Sequence, residues 1–291
     1  MIPGSFSYSS PGSVPEAIEL LVQHGFDVKV LAGRESLIPV MRFRLLEPKY
    51  IIDINRIPGM NQVEERNGYL SIGALARESA VEQSDIIKRR YPIIYDTAEM
   101  IADPLVRNLA TMGGNLAHAD PGNDHPATML ALRAEVVAVG PNGERVIPID
   151  EFFVDSFATA LEPEELLTEI RVPAAKPRSG GAYSKLERKV GDYAVAAVAG
   201  YVELGGDGTI QQAGVALTNA SYMPVRASNA EKTLGGQQPS DELIREASSV
   251  ASQEADPSSD LRGSADYKRA MIRTMTRRAL AKALDRARTN S

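Results

Sequence analysis

Two glycine-containing loops carry the residues whose types and spacing suit the binding of a small anion. The first runs from Leu31 to Leu37 (Leu-Ala-Gly-Arg-Glu-Ser-Leu), where a predicted strand turns tightly into a predicted helix. Backbone N–H groups at a helix start lack partners and the helix dipole favours negative charge there, so a phosphate can bind without a charged side chain. Gly33 lets the backbone approach such an anion closely. Taken alone, this pattern is also typical of an ordinary tight turn.

The second loop extends from Thr111 to Asp124 and is dense in Gly, Asn and Asp. Its paired glycines, Gly113 and Gly114, are predicted to offer backbone donors. Carboxylates later in the loop suit hydroxyl groups such as those of a ribityl or ribose chain. The polar side chains expected to take part are Thr111, Asn115, Asp120 and Asp124. A loop held by Asx-turns is the alternative interpretation. His118 and His125 lie seven residues apart, which is not a helical metal spacing, so each is interpreted as a loop or packing histidine.

The composition of the 291-residue chain excludes several classes of chemistry. With no cysteine, it holds no disulfide, no thiolate nucleophile, no cysteine zinc site and no cysteine-ligated iron–sulfur cluster. Redox chemistry therefore requires a non-covalently held organic cofactor or another chain. The net charge of −6 argues against sequence-independent binding to nucleic acid. No apolar run has the roughly 18 residues of a membrane helix. Met1–Gly12 lacks the features of a signal peptide, which predicts a cytoplasmic location.

Short strands and helices alternate around these loops. The dinucleotide motif G-x-G-x-x-G and the Walker A motif are absent, so a dinucleotide would have to bind through another fold. Capping and periodicity predict helices from Ser13 to before Gly25 and over 37–46, 94–108 (bent near 103–104), 239–255 and 266–288. Strands are predicted over 28–31, 50–54, 194–204 and 213–219, with hairpins at Asn67-Gly68 and Asn142-Gly143. Residues 111–126 are predicted to form a loop and 173–181 a linker.

The two loops, at this separation, are followed by Lys185–Ala194 (Lys-Leu-Glu-Arg-Lys-Val-Gly-Asp-Tyr-Ala). This combination resembles the FAD-binding medium subunits of molybdenum hydroxylases, the xanthine dehydrogenase family, and within it the carbon monoxide dehydrogenase branch. Further matching stretches are 2–6, 36–39, 101–108 and 119–126, so the resemblance spans essentially the whole chain.

The resemblance implies an α+β fold in three parts. An FAD-binding domain of the p-cresol methylhydroxylase/vanillyl-alcohol oxidase type would comprise two subdomains, residues 1–55 and 56–175. A smaller C-terminal α+β domain, of the carbon monoxide dehydrogenase medium-subunit type, would cover residues 176–291. The FAD would lie in the cleft where the loops meet Tyr193.

The resemblance also implies a role for individual residues, and none of these roles is catalytic or metal-binding. Ala32–Ser36 would wrap the FAD pyrophosphate from one side and Thr111–Asn115 from the other, with Asp124 bonded to the ribityl region. Tyr193 would cover the flavin face, and Lys185 would support charge on the reduced ring or a phosphate. Without the resemblance, Tyr193 would be interpreted as an aromatic residue at an interface and Lys185 as a solvated lysine. The full implied cofactor-binding set is Ala32, Gly33, Arg34, Glu35, Ser36, Leu37, Ile101, Thr111, Gly113, Gly114, Asn115, Ala119, Asp120, Asp124, Lys185, Asp192 and Tyr193.

The first loop departs from the family pattern Ala-Gly-Gly-x-Ser, because Arg34 replaces the second glycine and Glu35 follows it. If the position requires a positive φ, a non-glycine residue there costs about 1 kcal/mol. Glu35 adds a carboxylate near the phosphates. Either Arg34 pairs with a phosphate through its planar donors, or both side chains point to solvent and only the backbone binds. Retained FAD binding is expected in both cases.

The implied function is electron transfer within a complex. A large partner subunit would hold a molybdenum–pterin cofactor and a small one 2Fe–2S clusters, and the FAD of this chain would pass electrons to an external acceptor. A heterotrimer, or a dimer of heterotrimers, without nucleic acid or a transmembrane segment, is expected. Two alternatives stay open: a stand-alone flavin reductase of the same superfamily, and a flavin-free scaffold subunit.

Overall fold

Three β-sheets and a two-stranded ribbon are connected by helices in the computed structural model, which describes residues 2–290. The strands are β1 Ser7–Ser9, β2 Val28–Leu31, β3 Tyr50–Asp53, β4 Val63–Arg66, β5 Tyr69–Gly73, β6 Glu135–Gly140, β7 Gly143–Pro148, β8 Phe153–Asp155, β9 Ala158–Thr159, β10 Leu166–Pro173, β11 Ser179–Leu186, β12 Ala196–Leu204, β13 Ile210–Thr218 and β14 Val225–Arg226. The helices are α1 Val14–His24, α2 Leu37–Arg42, α3 Glu78–Gln83, α4 Asp85–Arg90, α5 Pro92–Glu99, α6 Pro104–Arg107, α7 Met112–His118, α8 His125–Ala131, α9 Ile149–Phe152, α10 Ser228–Leu234, α11 Asp241–Glu254 and α12 Ala265–Thr289.

The first sheet is parallel, in the order β1-β3-β2. Helix α1 precedes β2 and begins as predicted: the Ser13 side chain accepts a hydrogen bond from the Glu16 N–H at 3.3 Å. The helix ends at Gly25, whose φ of +54° favours glycine. Its buried face, which includes Ala17 and Leu21, joins the main hydrophobic core.

The second sheet is antiparallel, in the order β4-β5-β10-β6-β7. Both predicted hairpins are confirmed, because β4 pairs with β5 and β6 with β7 across the two Asn-Gly turns. Asn67 and Gly68 have φ of +50° and +81°, the two positive values that a type I′ turn requires. The central strand β10 was not predicted from the sequence.

The third sheet, β11-β12-β13-β14, is antiparallel and has helices on both faces. Helices α10, α11 and α12 pack on one face in a second hydrophobic core, while α5 and α8 contact the other. Gly180 and Gly200 permit the close approach of α12, because a Cβ on Gly180 would lie 2.2 Å from the Ala283 carbonyl oxygen. This arrangement places the amino-terminal sheets and α12 on opposite sides of the third sheet.

Four predicted elements differ from the structure. Helix α2 ends at Arg42 rather than at residue 46. The predicted helix 94–108 is two helices, α5 and α6, because Asp103 adopts an extended conformation before Pro104 and caps α6. The predicted loop 111–126 contains helix α7, which Thr111 caps. The predicted linker 173–181 is present but shorter: residues 174–178 connect β10 of the second sheet to β11 of the third, while 173 and 179–181 belong to these strands.

No helix among residues 2–290 combines the length and the apolar character needed to cross a membrane.

Candidate functional site

A cavity of about 870 Å³ lies where the three sheets meet. This volume is within the range of about 300–1,000 Å³ that is common for small-molecule and cofactor sites. All the residues assigned above to cofactor binding line it, except Ala119 and Asp120. The sequence did not indicate much of the remaining wall, which includes Leu21, Val28, Val40, Ile54, Leu166, Leu167, His118 and Phe157.

The first loop presents free backbone donors to this cavity. Within residues 2–290, the N–H groups of Gly33, Arg34, Glu35 and Ser36 donate no hydrogen bond. Arg34 has a φ of +72°, and consecutive N–H groups in a turn that includes such a residue form a concave anion site. The free donors match the prediction for this loop.

The side chain of Arg34 has a partner that the sequence did not indicate. Its Nη2 lies 3.1 Å from Oδ2 of Asp53, which also accepts a hydrogen bond from the Tyr8 hydroxyl at 2.7 Å. Burial alone would raise the pKa of Asp53, but the hydrogen bonds from Asn55 and Tyr8 and the charge of Arg34 lower it on balance. Burial raises the pKa of Glu35, and the negative charge of Asp103 adds to the effect.

In the second loop the glycines do not offer the free backbone donors that were predicted. The N–H groups of residues 112–115 already donate hydrogen bonds within the chain. Met112 and Gly113 donate to the carbonyl oxygens of Ala76 and Ala74 at 3.0 and 2.9 Å. The Gly114 N–H bonds to Thr111 Oγ1 at 3.1 Å, and the Asn115 N–H bonds to the Thr111 carbonyl. Gly113 serves packing instead: a Cβ there would lie 2.6 Å from the Ala74 Cβ.

The Asn115 side chain remains available to a ligand. Its Oδ1 is buried and has no hydrogen-bond partner within the described residues. Buried polar atoms are nearly always paired, so an unpaired one on a cavity wall indicates a missing ligand or water.

Lys185 and Asp124 form a buried ion pair on the cavity wall. Lys185 Nζ lies 2.8 Å from Asp124 Oδ2 and 3.0 Å from the Met100 carbonyl oxygen, while the Tyr183 hydroxyl donates to Asp124 Oδ1 at 2.6 Å. The Lys185 side chain is 1% exposed, so the alternative of a solvated lysine is wrong. Burial raises the pKa of Asp124, and the Lys185 ammonium opposes that shift.

Tyr193 lies on the cavity wall, partly exposed, with its ring against Gly122. A Cβ on Gly122 would lie 3.0 Å from Tyr193 Cδ1. The Arg262 guanidinium is 5.5 Å from the ring centroid and bonds to Asp192 Oδ1 at 3.1 Å. Burial raises the pKa of Tyr193 to about 12, so its hydroxyl stays neutral at physiological pH.

Two predicted residues are not brought to the cavity. Ala119 is fully buried with a φ of +51° and ends α7. Asp120 accepts a hydrogen bond from the Gly122 N–H at 2.8 Å and thereby shapes the turn that carries Gly122. His125 is a packing residue, since its Nε2 lies 2.7 Å from Glu78 inside the core.

The residues of the cavity fit a dinucleotide with an aromatic ring system. Free N–H groups of the first loop suit a diphosphate. The unpaired Asn115 Oδ1 and the Asp124 carboxylate suit hydroxyl groups. Tyr193 offers an aromatic ring on the cavity wall, and apolar side chains line much of the rest. The donor set of the cavity therefore matches the flavin dinucleotide that the resemblance implies.

Comparison with known proteins supports this assignment. A family described as FAD binding domain in molybdopterin dehydrogenase matches residues 4–175, and one described as CO dehydrogenase flavoprotein C-terminal domain matches residues 181–283. The carbon monoxide dehydrogenase medium chain of Hydrogenophaga pseudoflava is 44% identical over 96% of this chain and 97% of its own length. The 6-hydroxypseudooxynicotine dehydrogenase complex subunit alpha of Paenarthrobacter nicotinovorans is 39% identical over 99% of this chain and 97% of its own. A solved carbon monoxide dehydrogenase structure from H. pseudoflava superimposes with a TM-score of 0.96 at 45% identity, covering 98% of this chain and 99% of the other.

Proposed function

The chain belongs to the FAD-binding medium-subunit family of molybdenum hydroxylases, and on that premise we propose which of its residues hold FAD and how it assembles. It is an oxidoreductase subunit of the carbon monoxide dehydrogenase/xanthine dehydrogenase type that transfers electrons through FAD in a multi-subunit complex. The observation that carries the residue assignment is the convergence of residues 32–36, 111, 113–115, Lys185 and Tyr193 on one cavity.

In this proposal the amino-terminal loop binds the diphosphate. The N–H groups of Gly33–Ser36 hold its oxygens, and Asn115 and Asp124 bond to the hydroxyl groups of the flavin dinucleotide. Tyr193 would cover one face of the ring. Lys185, fixed by Asp124, keeps a positive charge beside the cavity. FAD itself supplies the ability to exchange electrons singly or in pairs, which joins one-electron clusters to a two-electron acceptor.

The other redox centres belong to partner subunits. No cluster of three or more potential metal-ligating side chains is present among residues 2–290, and the chain has no cysteine. The similar H. pseudoflava protein is a medium chain, and the solved carbon monoxide dehydrogenase structure is of a form that lacks the Mo-pyranopterin moiety of the molybdenum cofactor; both findings support placing the molybdenum and iron–sulfur centres of the complex on other chains. For this chain we propose a dimer of heterotrimers in the cytoplasm, with domains over 1–55, 56–175 and 176–291. Relatives named for different substrates are similar over nearly the whole chain, which supports substrate selection in the molybdenum subunit.

Purification of the chain alone and with its partners tests the proposal. Incubation with FAD is expected to give flavin absorbance between roughly 350 and 480 nm that stays with the protein. The chain is expected not to oxidise NAD(P)H by itself, and to co-purify with a molybdenum-containing chain and an iron–sulfur chain. Turnover by the lone polypeptide would indicate a stand-alone reductase. A chain that stays colourless after incubation with FAD would indicate a flavin-free scaffold.

A further inference from the structure

Asn55 and Arg77 form a hydrogen-bonded bridge between the two glycine loops, behind the wall of the cavity. Asn55 Nδ2 donates to the Ala32 carbonyl oxygen at 2.9 Å. Arg77 Nη2 donates to Asn55 Oδ1 at 2.6 Å, and Arg77 Nη1 donates to the Leu109 carbonyl oxygen. Neither bridging side chain belongs to the cavity lining among residues 2–290. The bridge therefore acts on the cavity only through the loops that it joins.

The bridge attaches beside the point where the two loops come closest. A Cβ placed on Gly33 would lie 2.8 Å from Ala110 Cα and 2.8 Å from the Leu109 carbonyl oxygen. Ala32 and Leu109, which accept the two outer hydrogen bonds, immediately precede Gly33 and Ala110. The bridge thus fixes the separation of two segments that are more than seventy residues apart in the chain.

The hydrogen bond to Ala32 also orients a donor of the first loop. In a trans peptide the carbonyl and the following N–H point in opposite directions. Because Asn55 holds the Ala32 carbonyl, the Gly33 N–H must point away from Asn55, and this N–H is one of the free donors described above. Asn55 is itself held by Asp53, whose Oδ1 accepts from the Asn55 N–H at 3.0 Å and from Nδ2 at 2.6 Å.

We propose that Asn55 and Arg77 are positioning residues for the diphosphate of FAD: their bridge sets the gap between the two loops and the direction of the Gly33 N–H. This inference rests on the proposed function, because it assigns the diphosphate to the first loop. Arg77 acts through the planar fork of its guanidinium, which reaches two acceptors at once, rather than through its charge alone.

Titration of the full-length chain, freed of flavin, with FAD and separately with ADP tests the bridge. The variants are Asn55→Ala, Arg77→Ala, Arg77→Lys and the double Ala variant. Arg56→Ala is the matched control, because Arg56 is an exposed neighbour whose side chain makes no hydrogen bond within residues 2–290. Each bridge variant is expected to bind FAD and ADP about tenfold more weakly, which corresponds to about 1.4 kcal/mol. The double variant should bind FAD no more weakly than the weaker-binding single Ala variant, since each of these variants breaks the same connected bridge.

The bound-flavin absorption spectrum at saturation separates a positioning role from general damage. It should be unchanged in the bridge variants, because the ring end of the cavity is not touched. Normal FAD affinity in Asn55→Ala would overturn the proposal. So would wild-type FAD affinity in Arg77→Lys if Arg77→Ala binds FAD weakly, because lysine keeps the charge but not the planar fork. If Arg77→Ala does not fold, Asn55→Ala and Arg77→Lys decide the question. Failure of the wild-type chain to bind FAD would instead overturn the proposed function.

Discussion

Arg34 occupies a left-handed backbone conformation, with a φ of +72°, at the centre of the first glycine loop. A side chain in this region costs about 1–2 kcal/mol relative to glycine. The ion pair with Asp53 offsets only part of that cost, because the Arg34 side chain is 50% exposed and exposed pairs contribute about 0–1 kcal/mol. The loop thus keeps a strained residue whose side chain is directed towards Asp53.

Comparison of Arg34→Gly with Arg34→Ala measures this strain. Both variants lose the pair with Asp53, but alanine retains the unfavourable φ and glycine does not. Arg34→Gly is therefore expected to have a free energy of unfolding about 1 kcal/mol higher than Arg34→Ala in urea denaturation. FAD affinity should change only modestly in Arg34→Gly, because the backbone donors remain. Abolished binding in that variant would show that the guanidinium is a principal ligand.

His118 gives the fold a dependence on pH. Burial lowers the pKa of His118, and the nearby Asp120 only partly opposes this. The unfolded chain therefore takes up a proton near pH 6.5 while the folded chain takes it up at a lower pH. Between the pKa of His118 in the unfolded chain and its lower pKa in the folded chain, the free energy of unfolding falls as the pH decreases. Above about pH 6.5 His118 is neutral in both states and causes no loss of stability.

Urea denaturation of the wild type and of His118→Gln between about pH 7.5 and 5.5 tests this sign. The wild type should lose more stability than the variant as the pH falls, because glutamine takes up no proton. Parallel curves for the two proteins would mean that His118 has no share in the acid destabilisation.

At the scale of elements, the site depends on close contact between the segment before α2 and the segment before α7. Gly33 has no room for a side chain, since backbone atoms of Leu109 and Ala110 lie 2.8 Å from a Cβ there. Gly33→Ala must push the two segments apart. We expect at least a tenfold loss of FAD affinity, about 1.4 kcal/mol, in a fluorescence titration.

Gly206→Ala is the matched control for this substitution, because a Cβ there meets nothing within 4 Å. It should bind FAD like the wild type. If Gly33→Ala also binds normally, the contact between the loops does not contribute to the affinity.

The sequence predicted the elements that depend on local chemistry. The Ser13 cap and the Asn-Gly turn at residue 67 act within a few residues, so both were located correctly. Helix α7 was missed because its paired glycines disfavour a helix, whereas the Thr111 cap and the burial of Leu116 stabilise it.

Several details of the site that were not predicted come from distant partners. The donors of Met112 and Gly113 are taken by carbonyl groups of residues 74–76, and Arg34 pairs with an aspartate nineteen positions away. Such pairings follow from how the sheets pack, which local sequence patterns do not encode. Nearly all the residues assigned to the cofactor nevertheless line the cavity, because the resemblance carries the packed arrangement with it.

At the scale of the whole molecule, Asp96 connects the amino-terminal half to the third sheet and α12. This α5 carboxylate is nearly buried and accepts hydrogen bonds from Arg286 Nη1 at 2.6 Å and from Lys282 Nζ at 3.1 Å, both on α12. The Tyr183 N–H of β11 also donates to it, at 3.3 Å. The same β11 carries Lys185 to the cavity, so this ion-pair cluster positions one wall of the site.

Asp96→Asn tests whether this cluster holds the two halves of the cavity together. Removal of the negative charge leaves two cations facing a neutral amide. Because the Lys282 side chain is 50% exposed and that of Arg286 is 26% exposed, water screens both charges, and the cost is about 1–2 kcal/mol rather than that of a fully buried pair. Urea denaturation should show a loss of this size, and FAD affinity should fall because Lys185 and Tyr193 approach from the third sheet. Asp285→Asn is the matched control, because Asp285 is an exposed α12 carboxylate whose nearest cation, Arg288, is 3.8 Å away. Equal stability of the two variants would show that packing of α12 on the sheet, and not the charge of Asp96, holds the cavity walls in place.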